Sequence, residues 1–426
     1  MRFPSPRAEK IIKEGKKYYV NSTFSSSIIV AGGNGPVAED VDGYRFLDLH
    51  CDASVNNLGR ANKKLIEALE EQIKTGNIFS EHHNAYNVEA VKLAKFLALR
   101  SPVKKPAKVF LSNSGAEANE AARKACRAYR YHNGERKRTK AIYFTNGFAG
   151  RTKGVLSATS SRPEAQRDPF WDHCDRKNSI YLPYPRHAQD WSGLKKAFRK
   201  INLREVDRLL IELPCQGEGG IIPCDEEALK YLYKKTQKAG VSWIADAVQC
   251  GMGRTGTLFG CDYFPWLEPD VLTLGKALGG GWPIGATVFR ADLDFKPGEH
   301  SNTFGGHPAI CRVANVAVKE FEKLIESGAV KAIENMLKRR THEFWKYRSV
   351  VDLRGQGAMW AVEFATPELC RRFVEAGEEL ALSHAFGLRL LTAGRKSVRI
   401  MPPLNIKPHE LKIALDLFEK ALKTLA

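Results

Sequence analysis

Between Val241 and Ile284 the chain twice runs through a short apolar segment that ends in one ionisable residue. V-S-W-I-A-D closes on Asp246, and P-D-V-L-T-L-G-K closes on Lys276. Segments this short, bounded by turn formers, suit strands of a parallel sheet buried on both faces. Such sheets take ligands in the crevice outside the carboxyl ends of their strands, so Asp246 and Lys276 are expected to face one crevice. A lysine placed there, just before the turn opened by Gly279, Gly280 and Gly281, meets little water. Desolvation lowers an amine's pKa and frees the lone pair that a nucleophile needs. A carboxylate one strand away can keep the ring nitrogen of a pyridine-type cofactor protonated. Either residue alone would read as an ordinary strand-end charge; the pair, in this setting, is the signal.

From Val109 onward strand and helix patterns alternate. K-V-F-L-S-N-S, A-I-Y-F-T-N-G, D-R-L-L-I-E-L-P and V-S-W-I-A-D are separated by helical stretches such as Glu226 to Ala239. That alternation predicts an α/β domain with a mainly parallel sheet. Ser114-Gly115-Ala116-Glu117 follows the first of these strands and opens an Ala-rich helix. Ser114 and Glu117 have capping-box spacing, and the backbone N–H groups at the helix start make an anion site. Gly251-Met252-Gly253-Arg254-Thr255-Gly256 matches G-x-G-x-x-G, but T-L-F-G-C-D-Y-F after it has no helical period. A dinucleotide fingerprint needs a helix there, so the segment is read as a loop and nicotinamide chemistry is set aside.

The remaining features bound the class. At 426 residues, 43% hydrophobic and 27% charged, the chain can bury two domains or one large one. No apolar run approaches the ~18–20 residues of a membrane span, and the N-terminus lacks a secretory apolar core, so a soluble cytoplasmic protein is expected. Nine cysteines lie scattered without a C-x-x-C pair, which argues for buried reduced thiols and against a metal site. The net charge of +18 lies in dispersed clusters such as Arg136-Lys137-Arg138 and Lys338-Arg339-Arg340. Most of it reads as solvated helix surface, with an acidic partner, nucleic acid included, as the lesser alternative. A basic helix around Ala8 to Lys17 and a hairpin turning at Asp42-Gly43 precede the alternating region. A helix from Ala309 to Ile325, a compact α+β tail and a closing helix with Leu411, Leu415, Phe418, Leu422 and Leu425 on one face follow it.

Taken in order, S-N-S-G-A-E-A-N-E-A-A (112–122), N-G-F-A-G-R-T-K-G (146–154), P-C-Q-G-E-G-G (214–220), D-A-V-Q-C-G-M-G-R-T-G (246–256), G-K-A-L-G-G-G-W-P-I-G-A (275–286), H-S-N-T-F-G-G-H-P (300–308) and S-V-R-I-M-P-P-L (397–404) resemble the class III aminotransferases. These are pyridoxal 5′-phosphate (PLP) enzymes of fold type I. Within the family the chain resembles an archaeal branch called 4-aminobutyrate aminotransferases, some of whose members are amino-acid racemases. The resemblance implies a large domain over 51–307 with a mainly parallel seven-stranded sheet. It implies a smaller α+β domain combining 1–50 with 308–426, and a homodimer with shared active sites. It implies that Lys276 forms the Schiff base with PLP and shuttles the Cα proton, and that Asp246 pairs with the ring nitrogen. Gln249 would reach the ring's phenolic oxygen and Phe148 would stack on the ring. Ser114, Gly115 and Ala116 would hold the phosphate, joined by Thr303 of the partner subunit. Arg399 would grip the substrate α-carboxylate, Glu218 would switch onto Arg399 when an ω-amino substrate is bound, and Arg151 would meet a distal carboxylate. The implied reaction moves an amino group from a 4-aminobutyrate-like or ornithine-like donor to 2-oxoglutarate, with racemisation on the same site as the alternative. Four positions depart from the family pattern. Leu213 stands where a glutamate is usual, with Glu212 one place early; a one-residue slip on a strand turns a side chain to the other face, so Glu212 is expected away from the site. Ala247, Ala149 and Arg60 replace an acid, a histidine and a histidine. These changes surround the substrate and leave the PLP anchors intact.

Overall fold

Seven strands form the central layer: β1 (Ala107–Ser112), β2 (Lys140–Phe144), β3 (Ser179–Leu182), β4 (Val206–Glu212), β5 (Ser242–Asp246), β6 (Val271–Leu274) and β7 (Gly285–Arg290). Their spatial order is β1-β7-β6-β5-β4-β2-β3. All neighbouring pairs are parallel except those made by β7, which runs against both β6 and β1. The computed structural model describes residues 3–20, 22, 26–78, 85–186 and 191–425. Every residue of β4, β5 and β6 is buried, as continuous Val, Ile and Leu runs require of strands covered on both faces. Helix α1 (Gly115–His132) lies on this sheet through Ala118, Ala121, Ala122, Ala125 and Cys126. Those small side chains, at helical spacing, let the helix axis sit close to the strands. This architecture is the mixed α/β arrangement of fold type I.

The flanking segments form two further sheets. Val30–Asn34, Val37–Asp40 and Arg45–Asp48 make an antiparallel meander whose second turn holds Gly43 at φ +88°. Arg45–Asp48 then pairs in parallel with Gly387–Arg389 near the other end of the chain. The strands Val350–Gln356, Met359–Phe364, Ser397–Ile400 and Thr392–Ala393 make the other sheet, in that spatial order, and place Arg399 opposite Ala361. The helix Pro308–Glu326 spans the predicted one. The closing helix Pro408–Lys423 buries Leu411, Leu415, Phe418 and Leu422, with Phe418 stacked on Phe344 at 5.3 Å.

The G-x-G-x-x-G segment is a loop, with Met252, Gly253 and Gly256 at positive φ. Its working residue is Arg254, which is fully buried. The guanidinium donates to the carbonyls of Ala358 (2.9 Å) and Pro402 (2.7 Å) and to Ser54 Oγ (3.2 Å), and it also bonds Asn57. One side chain thus ties three distant segments together. All nine cysteines are free and buried. Among the described residues no helix is long and apolar enough to cross a membrane, and no cluster of His, Cys, Asp and Glu could hold a metal.

Candidate active site

β5 and β6 end side by side, and Asp246 and Lys276 line one cavity of about 450 Å³. Asp246 is buried; Oδ2 accepts from Asn119 Nδ2 at 2.7 Å and Oδ1 from the Val248 N–H at 2.9 Å. Burial raises this carboxyl above the usual carboxylate range, while those two donors and the nearby Lys276 oppose the rise. Lys276 has the opposite problem. Burial lowers its ammonium, and the Glu218 carboxylate pulls back upward. An amine closer to neutrality is the one that can attack a carbonyl or take a proton. Its backbone sits at φ +46°, a left-handed conformation unusual for a long side chain and concentrated at functional sites.

The N-terminus of α1 forms a second wall. Ser114 Oγ accepts from the Glu117 N–H at 3.2 Å; the Glu117 carboxylate reaches one residue further back than the Ser114–Glu117 spacing predicts, accepting from the Asn113 N–H at 2.8 Å. Gly115 and Ala116 line the cavity, and their N–H groups belong to the first turn, which has no intrahelical acceptors. A Cβ on Gly115 would lie 2.5 Å from Val248 Cγ1, and one on Gly275 would lie 3.2 Å from Gly115 itself. The lysine-bearing turn and the helix start therefore approach this closely only because both positions are glycine.

The third wall includes Glu218, which lines the cavity and pairs with Arg399. Arg399 is 1% exposed and donates to Glu218 Oε2 at 2.8 Å and to the Thr392 carbonyl at 3.0 and 3.1 Å. Burial alone would raise the Glu218 carboxyl, but Arg399 and Lys276 hold it down at about 2. Gln249 Nε2 donates to Glu218 Oε1 (3.2 Å) and to the Ala53 carbonyl (3.3 Å), which extends the pair to the Cys51–Ser54 turn, where four successive residues have positive φ. Arg151 is exposed at the mouth with its guanidinium 5.0 Å over the Phe148 ring. Thr303 is exposed and is not part of the cavity wall.

Two residues of the site escape a reading of the motifs. Asn119 lies one turn beyond Gly115, donates to Asp246 and to the Ala149 carbonyl (3.1 Å), and accepts from Thr273 Oγ1 (2.8 Å). Its signal was an amide in the middle of a helix, where asparagine is a poor former. Glu212 corrects the expectation that the one-residue slip turns it away. It is the last residue of β4, in register with Asp246, and lines the cavity. Oε1 accepts from the Phe148 N–H (2.9 Å) and Oε2 from the Gly217 N–H (3.0 Å); Leu213 is fully buried and does not line the cavity. Strand alternation fails as a guide here because β4 ends at Glu212 and the chain turns. Burial and the neighbouring Asp246 push the Glu212 carboxyl up to about 8. Of the other departures, Ala149 lines the cavity and Ala247 is buried. Arg60 pairs with Asp48 (3.1 Å) and Asp52 (3.4 Å), a structural role that Arg389 shares.

The pattern of the aminotransferase class-III family matches residues 18–422. The chain belongs to that family. It is 32% identical to the acetylornithine aminotransferase of Clostridium acetobutylicum over 96% of this chain and all of that one. Identity to the acetylornithine aminotransferase of Methanocaldococcus jannaschii is 34%, over 95% of this chain and 96% of the relative. A solved ornithine aminotransferase from Toxoplasma gondii, described with partial occupancy of PLP at its active site, superposes with a TM-score of 0.85 at 26% identity. It covers 98% of this chain and 94% of its own. This class III aminotransferase is a PLP-dependent transferase. Its cavity fits the cofactor: a buried acid already held by two donors, a lysine at a strand end, and a helix start opened by Gly115.

Proposed function

We propose that the enzyme moves the ω-amino group of an ornithine-like donor, ornithine or its acetylated form, to 2-oxoglutarate. The observation that carries this reading is the buried Arg399–Glu218 pair at 2.8 Å. A guanidinium left unpaired in that position would demand a carboxylate on the carbon that bears the reacting amine. Glu218 supplies that carboxylate from the protein, so a donor whose amine-bearing carbon has none can enter. When 2-oxoglutarate or glutamate binds, its α-carboxylate displaces Glu218, and Arg151 at the mouth takes the distal carboxylate. The names of the relatives support an ornithine-like donor over 4-aminobutyrate.

When bound, PLP supplies an aldehyde that condenses with amines and a protonated ring that withdraws electrons. In our reading Lys276 Nζ holds the cofactor and then carries the proton from the donor's amine-bearing carbon. Asp246, fixed by Asn119, keeps the proton on the ring nitrogen. Phe148 covers the ring face, Ser114, Gly115 and Ala116 receive the phosphate, Gln249 meets the ring's phenolic oxygen, and Thr303 of the partner subunit completes the phosphate site in a homodimer. We further propose a large unit over 51–307 and a small one combining 1–50 with 308–426, for which the pairing of Arg45–Asp48 with Gly387–Arg389 is support.

The test is a set of half-reactions. The PLP form is mixed singly with acetylornithine, ornithine, 4-aminobutyrate and glutamate, and loss of its yellow colour is followed. Conversion by an ornithine-like donor faster than by 4-aminobutyrate, reversed by 2-oxoglutarate, is expected. Loss of optical rotation of an α-amino acid with no oxo acid present, and no conversion of any ω-amine, would replace this reading with racemisation.

A further inference from the structure

A second cavity, about 300 Å³, lies beside α1 and shares no lining residue with the PLP cavity. Arg123, Lys124 and Arg127 of α1 line it at helical spacing, with Arg208 of β4 below them. None of the three α1 cations has a carboxylate partner among the described residues. Lys124 Nζ meets the Glu299 carbonyl (3.1 Å) and His300 Nδ1 (3.0 Å), and Arg127 donates to the carbonyls of Arg138 (2.9 Å) and Arg136 (3.1 Å). Arg208 is charge-balanced by Asp207 at 2.6 Å and is 5% exposed. Yet its Nε, like that of Arg123, is buried with no acceptor among the described residues. The two acids on the wall are hydrogen-bonded to neutral groups beside them: Glu120 accepts from the Gly154 N–H (3.2 Å) and bonds Thr152, and Asp175 accepts from Asn178 (3.0 Å).

Three cationic side chains without a carboxylate partner on one small cavity match the charge of an oxyanion, and a guanidinium binds one through its planar fork. We propose that this cavity is a binding site for a small oxyanion carrying at least two charges, a phosphate or a dicarboxylate. The volume admits a group of that size. The cations of α1 supply the attraction, and the Arg123 guanidinium, which has no hydrogen-bond partner among the described residues, supplies the directed contact.

The test is calorimetric titration of the PLP-loaded enzyme with inorganic phosphate and, separately, with succinate. At least one should bind with a dissociation constant on the order of 1 mM or tighter, and the one that binds names the source. Arg123→Gln should weaken that binding about tenfold or more, the loss of a charged hydrogen bond. Arg127→Gln, on a carbonyl-bonded and more solvated side chain, should weaken it to a smaller degree. Arg399→Lys should leave phosphate binding unchanged, since Arg399 pairs with Glu218 of the other cavity. Binding of neither anion, binding that survives Arg123→Gln in a yellow and folded protein, or phosphate binding lost in Arg399→Lys would each overturn the proposal.

Discussion

The Arg399–Glu218 contact sets what a single substitution should do. Glu218→Gln keeps the shape and removes the charge that masks Arg399. Reaction with the ω-amino donor should slow by roughly 10–100-fold, as a charged hydrogen bond of about 1.5–3 kcal/mol implies, while reaction with glutamate is spared. Half-reaction rates for the two substrates check this; equal slowing of both would remove the switch. Lys276→Ala should lower turnover on the order of 10⁴-fold, since it removes both the attachment and the base; a colourless but active variant would end the proposed chemistry. Glu212 gives a pH signature. Its carboxyl stands at about 8 in the folded chain against an ordinary 4.5. Between those values the folded chain keeps a proton that the unfolded chain has lost, so stability falls as pH rises through the window. In the cofactor-free protein the thermal midpoint should decline from pH 5 to pH 8, and Glu212→Gln should flatten that decline. Matching slopes would mean that Glu212 is already ionised.

Among the elements, the loop from Gly251 to Gly256 and the start of α1 make separable predictions. Arg254→Met leaves the carbonyls of Ala358 and Pro402 and the Ser54 hydroxyl without their donor. Breaking such a buried charged network costs about 3–5 kcal/mol, to be read from denaturant midpoints; an unchanged midpoint would show the contacts to be incidental. The sequence pattern made this segment legible as a loop and no more, because what Arg254 bridges is contributed by residues some hundred or more positions away. The strands were legible because burial on both faces leaves continuous apolar runs. The ends of β5 and β6 were legible because one charged residue interrupts each run. Glu212 was not legible, since its direction is set by where β4 stops. Asn119 carried only a weak sign, an amide in a helix interior.

For the molecule as a whole, the proposed dimer predicts sedimentation at about twice 47.6 kDa. It also predicts complementation between two damaged subunits. Mixed dimers of Lys276→Ala with Thr303→Ala should regain activity, because one site then combines an intact lysine with the partner's intact threonine. If Thr303 served its own subunit, no mixed dimer would hold a complete site. The pairing of Arg45–Asp48 with Gly387–Arg389 has a consequence for how the chain is made. On the ribosome, the outer edge of that early strand waits while more than three hundred further residues are synthesised. Throughout that interval its open edge is a sticking point for other nascent chains. Fast translation, or a chaperone that covers the first fifty residues, should therefore raise the yield of native enzyme more than any change made within the seven-stranded layer.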